Sequence, residues 1–389
     1  MHVNANKFVS QRAAGMPASG IRRFFDIAAT MDDVISLGIG EPDFDTPEPI
    51  VAAGIAALER GETHYTSNSG LIELRRAIAA HIDALYHQTY NPVSEILITV
   101  GVSEALFLAM CALLDPGDEI IFPEPSFVSY RPTAMMVSAK PVVAPTSCDT
   151  GFQITAEAIE AAITERTKAL FLASPNNPTG TVISRERLNE IASVVKKHDL
   201  IVISDEIYDR LVYGVEPTCF ASLPGMYSRT VVLQGFSKAY AMTGWRVGYI
   251  LGPAEWVGQM RKIHQSLIMS APTASQWAAV KALEIGGPFV EEMRQAYDRR
   301  RKLIVSGLND LGLTCVEPQG AFYAFPDITS TEMDDNAFAE ELLQEENVAV
   351  IPGRAFGEAG QGHVRMSYAT AYEQIEEALE RIARFIRRH

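Results

Sequence analysis

The sequence predicts an α/β protein in which a mostly parallel sheet forms a large domain and a smaller α+β domain lies beside it. Its 389 residues are enough for two or three domains, or for one large unit with a smaller partner. Between residues 95 and 252, short apolar runs alternate with amphipathic stretches. This alternation is typical of a parallel sheet that is covered by helices on both faces. After about residue 287 the alternation ends, which indicates a second architecture.

The first predicted strand of the large domain is Ile96–Val100, and a helix predicted over Ser103–Leu114 follows it. The later strands are short runs rich in Ile, Leu and Val, with amphipathic helices such as Arg185–His198 between them. These strands are Glu119–Pro123, Lys168–Ala173, Leu200–Ser204, Thr230–Gln234 and Val247–Gly252.

The C-terminal part of the chain predicts a smaller α+β domain. Its elements are helix Pro288–Leu311, strand Ala321–Phe325, helix Asp334–Glu345, and strands around Val348–Ile351 and His363–Ser367. Because residues 1–45 precede the first helix of the large domain, we expect them to pack against this part. The sequence therefore assigns residues 46–287 to the large domain, and residues 1–45 together with 288–389 to the small domain.

A final amphipathic helix ends the small domain. The apolar side chains that recur at helical spacing are Ile375, Leu379, Ile382 and Ile386. Glu and Arg residues occupy the opposite face. Thr370 and Glu373 have the spacing of a capping box, which predicts that the helix begins beside Thr370.

Charge and composition argue against several classes of protein. Lys plus Arg number 33 and Asp plus Glu number 48, which gives a net charge of −15. A general nucleic-acid binder would carry a basic excess instead. With 47% apolar and 21% charged residues, the chain has the composition of a globular protein and not of a disordered one.

The sequence indicates no membrane segment, disulfide framework or metal site. The longest apolar run, Ala105–Leu114, has ten residues and is too short to span a bilayer. The N-terminus lacks the apolar core of a signal peptide. The four cysteines are far apart and form no CxxC pair: Cys111, Cys148, Cys219 and Cys315. We therefore expect reduced, mostly buried thiols in a cytoplasmic enzyme that has no membrane or nucleic-acid partner.

Polar residues follow the predicted strands, at the edge where ligands bind in open parallel sheets. In chain order they are the turn Gly101–Ser103, the segment SPNNPTG (174–180), Asp205 with Tyr208, and Lys238 with Arg246. Because the carboxyl ends of parallel strands meet at one edge, we expect these residues to form a single site.

The turn Gly101–Ser103 and Lys238 point to two parts of this site. The turn places small residues before a helix N-terminus, where free backbone N–H groups favour a phosphate. Arg246 can supply a guanidinium fork to the same phosphate. Lys238, one of nine lysines, follows a strand and is either a phosphate ligand or a Schiff-base nucleophile. The chain contains no P-loop motif, and GIGEPD (38–43) lacks the last glycine of a dinucleotide fingerprint.

Five segments together resemble the class I aminotransferases, which are pyridoxal 5'-phosphate (PLP) enzymes of fold type I. The segments are GIGEPDFDTP (38–47), SPNNPTG (174–180), SDEIYDRLVY (204–213), FSKAYAMTGWRVGY (236–249) and RMSYAT (365–370). The resemblance covers essentially the whole chain and is to the aspartate and aromatic branch. It implies a homodimer with its active site at the subunit interface, and a mixed, mainly parallel seven-stranded sheet in the large domain.

The resemblance also implies an activity and the residues that perform it. The activity is transamination between an L-amino acid and a 2-oxo acid such as 2-oxoglutarate, ping-pong through the pyridoxamine phosphate form of the cofactor. Lys238 would bind PLP covalently and carry the proton of the substrate α-carbon. Asp205 would pair with the pyridine nitrogen, which makes the ring an electron sink. Asn177 and Tyr208 would hydrogen-bond the ring hydroxyl, and Phe127 would stack on the ring.

By the same resemblance, residues of both subunits would bind the phosphate: Gly101, Val102, Ser103, Ser237, Arg246 and Tyr65 of the partner subunit. Arg365 would bind the substrate α-carboxylate through two hydrogen bonds. Gly40 would line the substrate pocket, together with Phe127 and Asn177. Many relatives carry serine at the position of Gly235, so this departure leaves Ser237 as the expected hydroxyl donor to the phosphate.

The preferred amino-acid donor stays open at this point. One branch of bacterial aspartate aminotransferases has a lysine where this chain has Ser103, near the distal carboxylate of the substrate, and Glu104 follows here. Residues 19–47 resemble archaeal aromatic and broad-specificity aminotransferases instead. We therefore expect aromatic or broad specificity, with an aspartate-selective enzyme as the alternative. Arg22, Arg23 and Arg354 are further candidates for binding a distal carboxylate, although each fits a surface or interdomain charge better.

Other reaction classes share these residues. A PLP carbon–sulfur lyase or a cyclopropane-forming synthase could use the same Lys238, Asp205 and Arg365, because fold and cofactor do not determine the reaction. A regulator that joins such a domain to a DNA reader would need a basic region, which the chain lacks. An NAD-dependent dehydrogenase would need the missing glycine fingerprint.

Overall fold

A seven-stranded sheet forms the centre of the larger part of the molecule. The computed structural model describes residues 5–17, 31 and 33–389. The strands in these ranges are β1 (Ile35–Ser36), β2 (Ile96–Thr99), β3 (Glu119–Glu124), β4 (Lys140–Pro145), β5 (Thr167–Ala173), β6 (Ile201–Asp205), β7 (Thr230–Gly235), β8 (Gly248–Leu251), β9 (Tyr323–Ala324), β10 (Val348–Ala349), β11 (Ile351–Pro352) and β12 (Val364–Ser367).

The α-helices of the same ranges cover the sheet and form most of the C-terminal part. They are α1 (Gln11–Ala14), α2 (Glu48–Glu59), α3 (Ile72–Tyr86), α4 (Gly101–Leu113), α5 (Tyr130–Met136), α6 (Ala156–Ala162), α7 (Arg185–Lys197), α8 (Ala254–Leu267), α9 (Thr273–Ile285), α10 (Gly287–Asp310), α11 (Asp335–Glu346) and α12 (Tyr372–Ile386). None of the helices described is both long and apolar enough to cross a membrane.

The large sheet has the strand order β2-β8-β7-β6-β5-β3-β4. Strands β3 to β7 pair in parallel, whereas β8 runs antiparallel to both of its neighbours, β2 and β7. The prediction of a mixed, mainly parallel seven-stranded sheet is confirmed. The register aligns Ala173, Asp205 and Leu233 across β5, β6 and β7, so the carboxyl ends of these strands lie at one edge.

Alternate residues of the strands pack against helices on opposite faces of the sheet. In β3, Ile120 and Phe122 belong to an apolar cluster with α4, α5 and α8. Ile121, between them, belongs to a second cluster with α6 and α7. A third cluster packs α3 and α9 against β2 and β8. Both faces are therefore buried, which explains why these strands are continuous apolar runs in the sequence.

The strand β4 was missed in the sequence analysis. It lies at the edge of the sheet, and among the described strands it pairs only with β3. Its sequence KPVVAP contains Pro141 and Pro145, which an edge strand tolerates better than a central one. Of its six residues only Ala144 is buried, so no continuous apolar run marks this strand.

The rest of the described chain forms short strands and helices around a separate apolar core. Strands β11, β12 and β9 form an antiparallel sheet in that order, and β1 pairs in parallel with β10. Side chains of α10, α11 and α12, such as Ile304, Phe338 and Ile382, pack into this core. The β1–β10 pair joins Ile35–Ser36 to this part of the molecule. The domain limits 46–287 and 1–45 with 288–389 stay a prediction.

Two local predictions in this part are wrong. The single strand predicted around Val348–Ile351 is two strands, because the chain changes partner at Val350, so that β10 pairs with β1 and β11 with β12. The predicted capping box is absent: α12 begins after Ala371, which forms no side-chain cap. The Thr370 hydroxyl donates to Gln374 instead.

The four cysteines are free thiols in the described structure. Cys219 and Cys315 are buried, and burial raises the pKa of Cys315 to about 12. Cys111 is partly buried and Cys148 is exposed, so the prediction of mostly buried thiols holds fully for two of them.

Candidate active site

A cavity of about 380 Å³ opens at the carboxyl edge of the seven-stranded sheet. It lies where α4 begins and where β6 and β7 end, which is the edge at which the sequence predicts a site. Most of the predicted site residues line it: Gly40, Val102, Ser103, Phe127, Asn177, Asp205, Tyr208, Ser237, Lys238, Arg246 and Arg365.

One end of the cavity, where α4 begins, fits an anion. The first N–H groups of a helix have no partners within it, and the helix dipole adds positive potential there. Gly101 has a φ of +72°, and a Cβ at this position would lie 2.6 Å from Nη2 of Arg246. Glycine therefore allows the backbone to approach the guanidinium group. Ser103 and Ser237 also line this end, and Nη1 of Arg246 donates to the Thr243 carbonyl at 3.0 Å.

Two predicted site residues do not line the cavity, Gly101 and Tyr65. Gly101 lies next to the guanidinium group of Arg246, which does line it. Tyr65 is 78% exposed. The family resemblance assigns this tyrosine to the site of the partner subunit, so a single chain does not test its role.

The carboxylate of Asp205, the last residue of β6, is buried in the cavity wall. The Tyr130 hydroxyl donates to Oδ2 at 2.9 Å, and the Ile207 N–H donates to Oδ1 at 3.1 Å. Burial raises the pKa of Asp205 to about 6, and both hydrogen bonds oppose this rise. A buried carboxylate of this kind fits a ligand group that carries a proton, such as a pyridinium N–H.

Lys238 lies three residues beyond the end of β7 and extends into the cavity. Its Nζ donates to the carbonyl of Gly40 at 2.6 Å. Burial lowers the pKa of Lys238 to about 8, while the carboxylates of Glu41 and Asp205 oppose this change. An amine with a lowered pKa is more often neutral at physiological pH and is then nucleophilic. The sequence left two roles open for Lys238, a phosphate ligand or a Schiff-base nucleophile. This setting fits the Schiff-base nucleophile.

Arg365, in β12, is a buried cation without an anionic partner among the described residues. Its Nη1 donates to Oδ1 of Asn177 at 3.0 Å, and its Nη2 donates to the Gly38 carbonyl at 2.5 Å. The rings of Tyr323 and Phe356 lie 4.6 and 5.0 Å from its Cζ. Its buried Nε has no hydrogen-bond partner in the described structure. Because a buried, unpaired charge is costly, this guanidinium fits a carboxylate ligand.

Two tyrosines of the site were missed in the sequence analysis. Tyr130, which binds Asp205, also packs edge-on against Phe127, with ring centroids 5.6 Å apart. The hydroxyl of Tyr323 lies 2.8 Å from that of Tyr208. Tyr323 does not follow a strand of the large sheet, and Tyr130 lies six residues beyond the end of β3, where the strand-end argument placed no residue. The available signal is a hydroxyl-bearing ring inside an apolar segment, PSFVSY (125–130) and AFYAF (321–325).

The charges of the cavity limit what it can bind. Among the described lining residues the cations are Lys238, Arg246 and Arg365. The acids are Asp205 and Glu41. A ligand with a phosphate and one carboxylate would occupy both guanidinium groups, which leaves Lys238 as the one remaining cation among the described lining residues.

Of the three other arginines considered for a distal carboxylate, the structure describes one, Arg354, which does not line this cavity. Arg354 is paired with two carboxylates, those of Asp334 and Asp335. Arg22 and Arg23 lie outside the described residues.

Comparison with known proteins agrees with this geometry. A family model described as aminotransferase class I and II matches residues 32–382. The chain is 47% identical over 382 residues to an aspartate aminotransferase of Pyrococcus abyssi, covering 97% of this chain and 98% of the relative. It is 43% identical over 383 residues to an aromatic-amino-acid aminotransferase of Thermococcus litoralis, again covering 97% and 98%.

A solved aminotransferase structure is also similar to the chain in sequence and fold. The crystal structure of an aromatic aminotransferase from Pyrococcus horikoshii is 44% identical and superposes with a TM-score of 0.90, covering 95% of this chain and 99% of that one. Because relatives with different named donors have similar identities, likeness alone does not decide the donor.

Proposed function

The chain belongs to the class I and II aminotransferases, and on that premise we propose that its donors are aromatic and other apolar L-amino acids. It is a PLP-dependent aminotransferase, as the family and its relatives establish. The observation that carries the donor proposal is the charge inventory of the cavity. Its three described cations are all needed by the cofactor and by the α-carboxylate of the substrate.

When PLP is bound, it supplies an aldehyde that takes up the amino group and a ring that withdraws electrons from the substrate α-carbon. The fit of the site supports this cofactor, because an anion-binding turn, a buried carboxylate and a lysine surround one cavity. The residues that we assign to PLP are Gly101, Val102, Ser103, Phe127, Asn177, Asp205, Tyr208, Ser237, Lys238 and Arg246.

Lys238 and Asp205 have the two chemical roles in this proposal. Lys238 would hold the cofactor covalently through Nζ, and the same nitrogen would then carry the proton between the substrate α-carbon and the cofactor. Its lowered pKa supports both roles, because Nζ must be neutral to attack and to accept a proton. Asp205 would keep a proton on the pyridine nitrogen of bound PLP, and the hydrogen bond from Tyr130 holds its carboxylate in place.

Arg365 binds the α-carboxylate of every donor and acceptor in this proposal. The guanidinium group presents two N–H groups to a carboxylate, and Asn177 and the Gly38 carbonyl hold it in place. The carboxylate then supplies the anion that this buried cation lacks, so binding removes a desolvation cost already present in the free protein.

An apolar donor needs nothing further from the cavity, whereas aspartate needs a partner for its distal carboxylate. 2-Oxoglutarate has the same need, so an adaptable partner outside the described lining, or water, must serve it. The second candidate is an aspartate-selective enzyme, which the likeness to the Pyrococcus abyssi relative supports.

The experiment that decides the donor measures kcat/KM for phenylalanine, tyrosine, methionine and aspartate, with 2-oxoglutarate held constant. We expect the apolar donors to match or exceed aspartate. Aspartate winning by more than about a hundredfold, or roughly 2.7 kcal/mol of transition-state preference, would refute the proposal and favour the second candidate.

We further propose a homodimer in which Tyr65 of each subunit reaches the cofactor phosphate of the other. The exposure of Tyr65 supports this, as do other large apolar side chains at the surface, including Ile55, Leu58 and Leu267. Light scattering on the purified protein measures the assembly, and a monomer at micromolar concentration would contradict it. The cytoplasmic location also stays a prediction.

A further inference from the structure

A buried pair of ionisable side chains, Glu104 and His264, lies behind the anion-binding turn and has no part in the roles above. Glu104 is in the first turn of α4, and His264 is near the end of α8. Nδ1 of His264 lies 2.7 Å from Oε1 of Glu104. His264 is 0% exposed and Glu104 is 9% exposed, so the contact is shielded from water.

The second carboxylate oxygen of Glu104 binds the backbone of the turn itself. Its Oε2 accepts a hydrogen bond of 2.6 Å from the N–H of Val100, the residue that precedes Gly101. From the other side, the hydroxyl of Thr99 donates to the Gly101 carbonyl at 3.0 Å. These two hydrogen bonds hold the chain immediately before the N–H groups that are assigned to the phosphate.

The pair also directs a negative charge away from the cavity. Ser103 lines the cavity, whereas Glu104, the next residue, does not. A carboxylate facing a bound phosphate would repel it, whereas this carboxylate is bound by the imidazole and does not line the cavity. The other ring nitrogen of His264, Nε2, is buried without a partner in the described structure. A buried polar nitrogen without a hydrogen bond is energetically unfavourable, and an apolar side chain at this position would not have that cost.

We propose that Glu104 and His264 are positioning residues for the cofactor phosphate, with His264 acting through Glu104. The inference rests on the proposed phosphate site at residues 101–103. It predicts that the pair supports binding of the phosphate group and not of the pyridine ring.

The test compares PLP with pyridoxal, which has the same ring and aldehyde but no phosphate. Full-length protein freed of cofactor is titrated with each compound, and the dissociation constants are measured by absorbance. We expect Glu104→Ala and His264→Leu each to weaken PLP binding about tenfold, as for loss of a hydrogen bond to a charged group. Pyridoxal binding should change less than about twofold.

Two further variants separate positioning from general damage. Glu104→Gln keeps an oxygen that can accept from the Val100 N–H, so it should retain PLP affinity within about threefold. The double variant Glu104→Ala/His264→Leu should bind PLP no more weakly than Glu104→Ala alone, because His264 acts through the Glu104 carboxylate. The matched control is Glu119→Gln, a buried carboxylate at the start of β3 that is bound by Lys140 and Thr164. It should leave the ratio of the two dissociation constants unchanged.

The outcomes are distinct. If the unaltered protein binds pyridoxal as tightly as PLP, the phosphate site and therefore the proposed function fail. If the unaltered protein prefers PLP but the folded variants keep its ratio of dissociation constants, the positioning role alone is overturned. Should Glu104→Ala fail to fold, the double variant is left out and His264→Leu decides by the same ratio.

Discussion

Replacing Arg365 with lysine keeps a positive charge at the wall of the cavity and removes the two-pronged geometry of the guanidinium group. In the structure Nη1 and Nη2 are held by Asn177 and by the Gly38 carbonyl, and a single ammonium group cannot take both bonds and also bind a carboxylate at two points. A hydrogen bond between charged groups is worth about 1.5–3 kcal/mol. Losing one such bond to the α-carboxylate predicts a fall in kcat/KM of at least about tenfold.

The assay measures the first half-reaction, in which the protein is mixed with one amino acid and no 2-oxo acid. The choice of acceptor therefore does not affect the measured rate. Phenylalanine, methionine and aspartate should all lose a similar factor, because each presents the same α-carboxylate. The matched control is Arg301→Lys, another buried arginine, which is bound by Asp298 and Glu317 and does not line the cavity. A loss confined to aspartate would show that Arg365 binds the side-chain carboxylate, and the reasoning would be refuted.

Three further predictions concern the cofactor end of the cavity. Tyr130→Phe removes a hydrogen bond that lowers the pKa of Asp205, so PLP affinity should fall several-fold in an absorbance titration; unchanged affinity would contradict the contact. Gly101→Ala places a Cβ against Arg246 at a positive φ, so PLP binding should weaken at least about tenfold while the fold persists by circular dichroism; wild-type affinity would refute the close approach. Burial lowers the pKa of Lys238 in the folded state from 10.5 to about 8. Between pH 8 and 10.5 the unfolded state therefore binds more protons than the folded state. The free energy of unfolding of the cofactor-free protein should accordingly rise with pH across this range. Urea unfolding of Lys238→Met at both ends of this window should lack that rise, and an equal rise in both proteins would rule out Lys238 as its source.

The strands of the large sheet could be predicted from the sequence where both of their faces are buried. Strands with both faces covered appear as apolar runs, and six of the seven strands of the sheet were found in this way. β4 was not, because it is a partly exposed edge strand that contains Pro141 and Pro145. The change of partner at Val350 was also beyond local reasoning, since it depends on residues far apart in the chain.

The candidate site was predictable where its residues follow strands of the large sheet. Asp205 and Lys238 follow β-rich runs, and parallel strands bring such positions together whatever the intervening sequence. Arg365 came from the family resemblance alone, because nothing local distinguishes it from a surface arginine. Tyr130 and Tyr323 depend on how α5 and β9 pack against the cavity, and no periodicity in the sequence reports that.

We propose above all that Nζ of Lys238 is the amine that holds the cofactor at this cavity. Borohydride reduction of the PLP-loaded protein converts the covalent attachment into a stable amine, and mass spectrometry of the digested protein then locates it. We expect the added cofactor mass on the peptide that contains Lys238 and on no other of the nine lysines. Attachment at a different lysine, or fully loaded protein with no lysine modified, would contradict it.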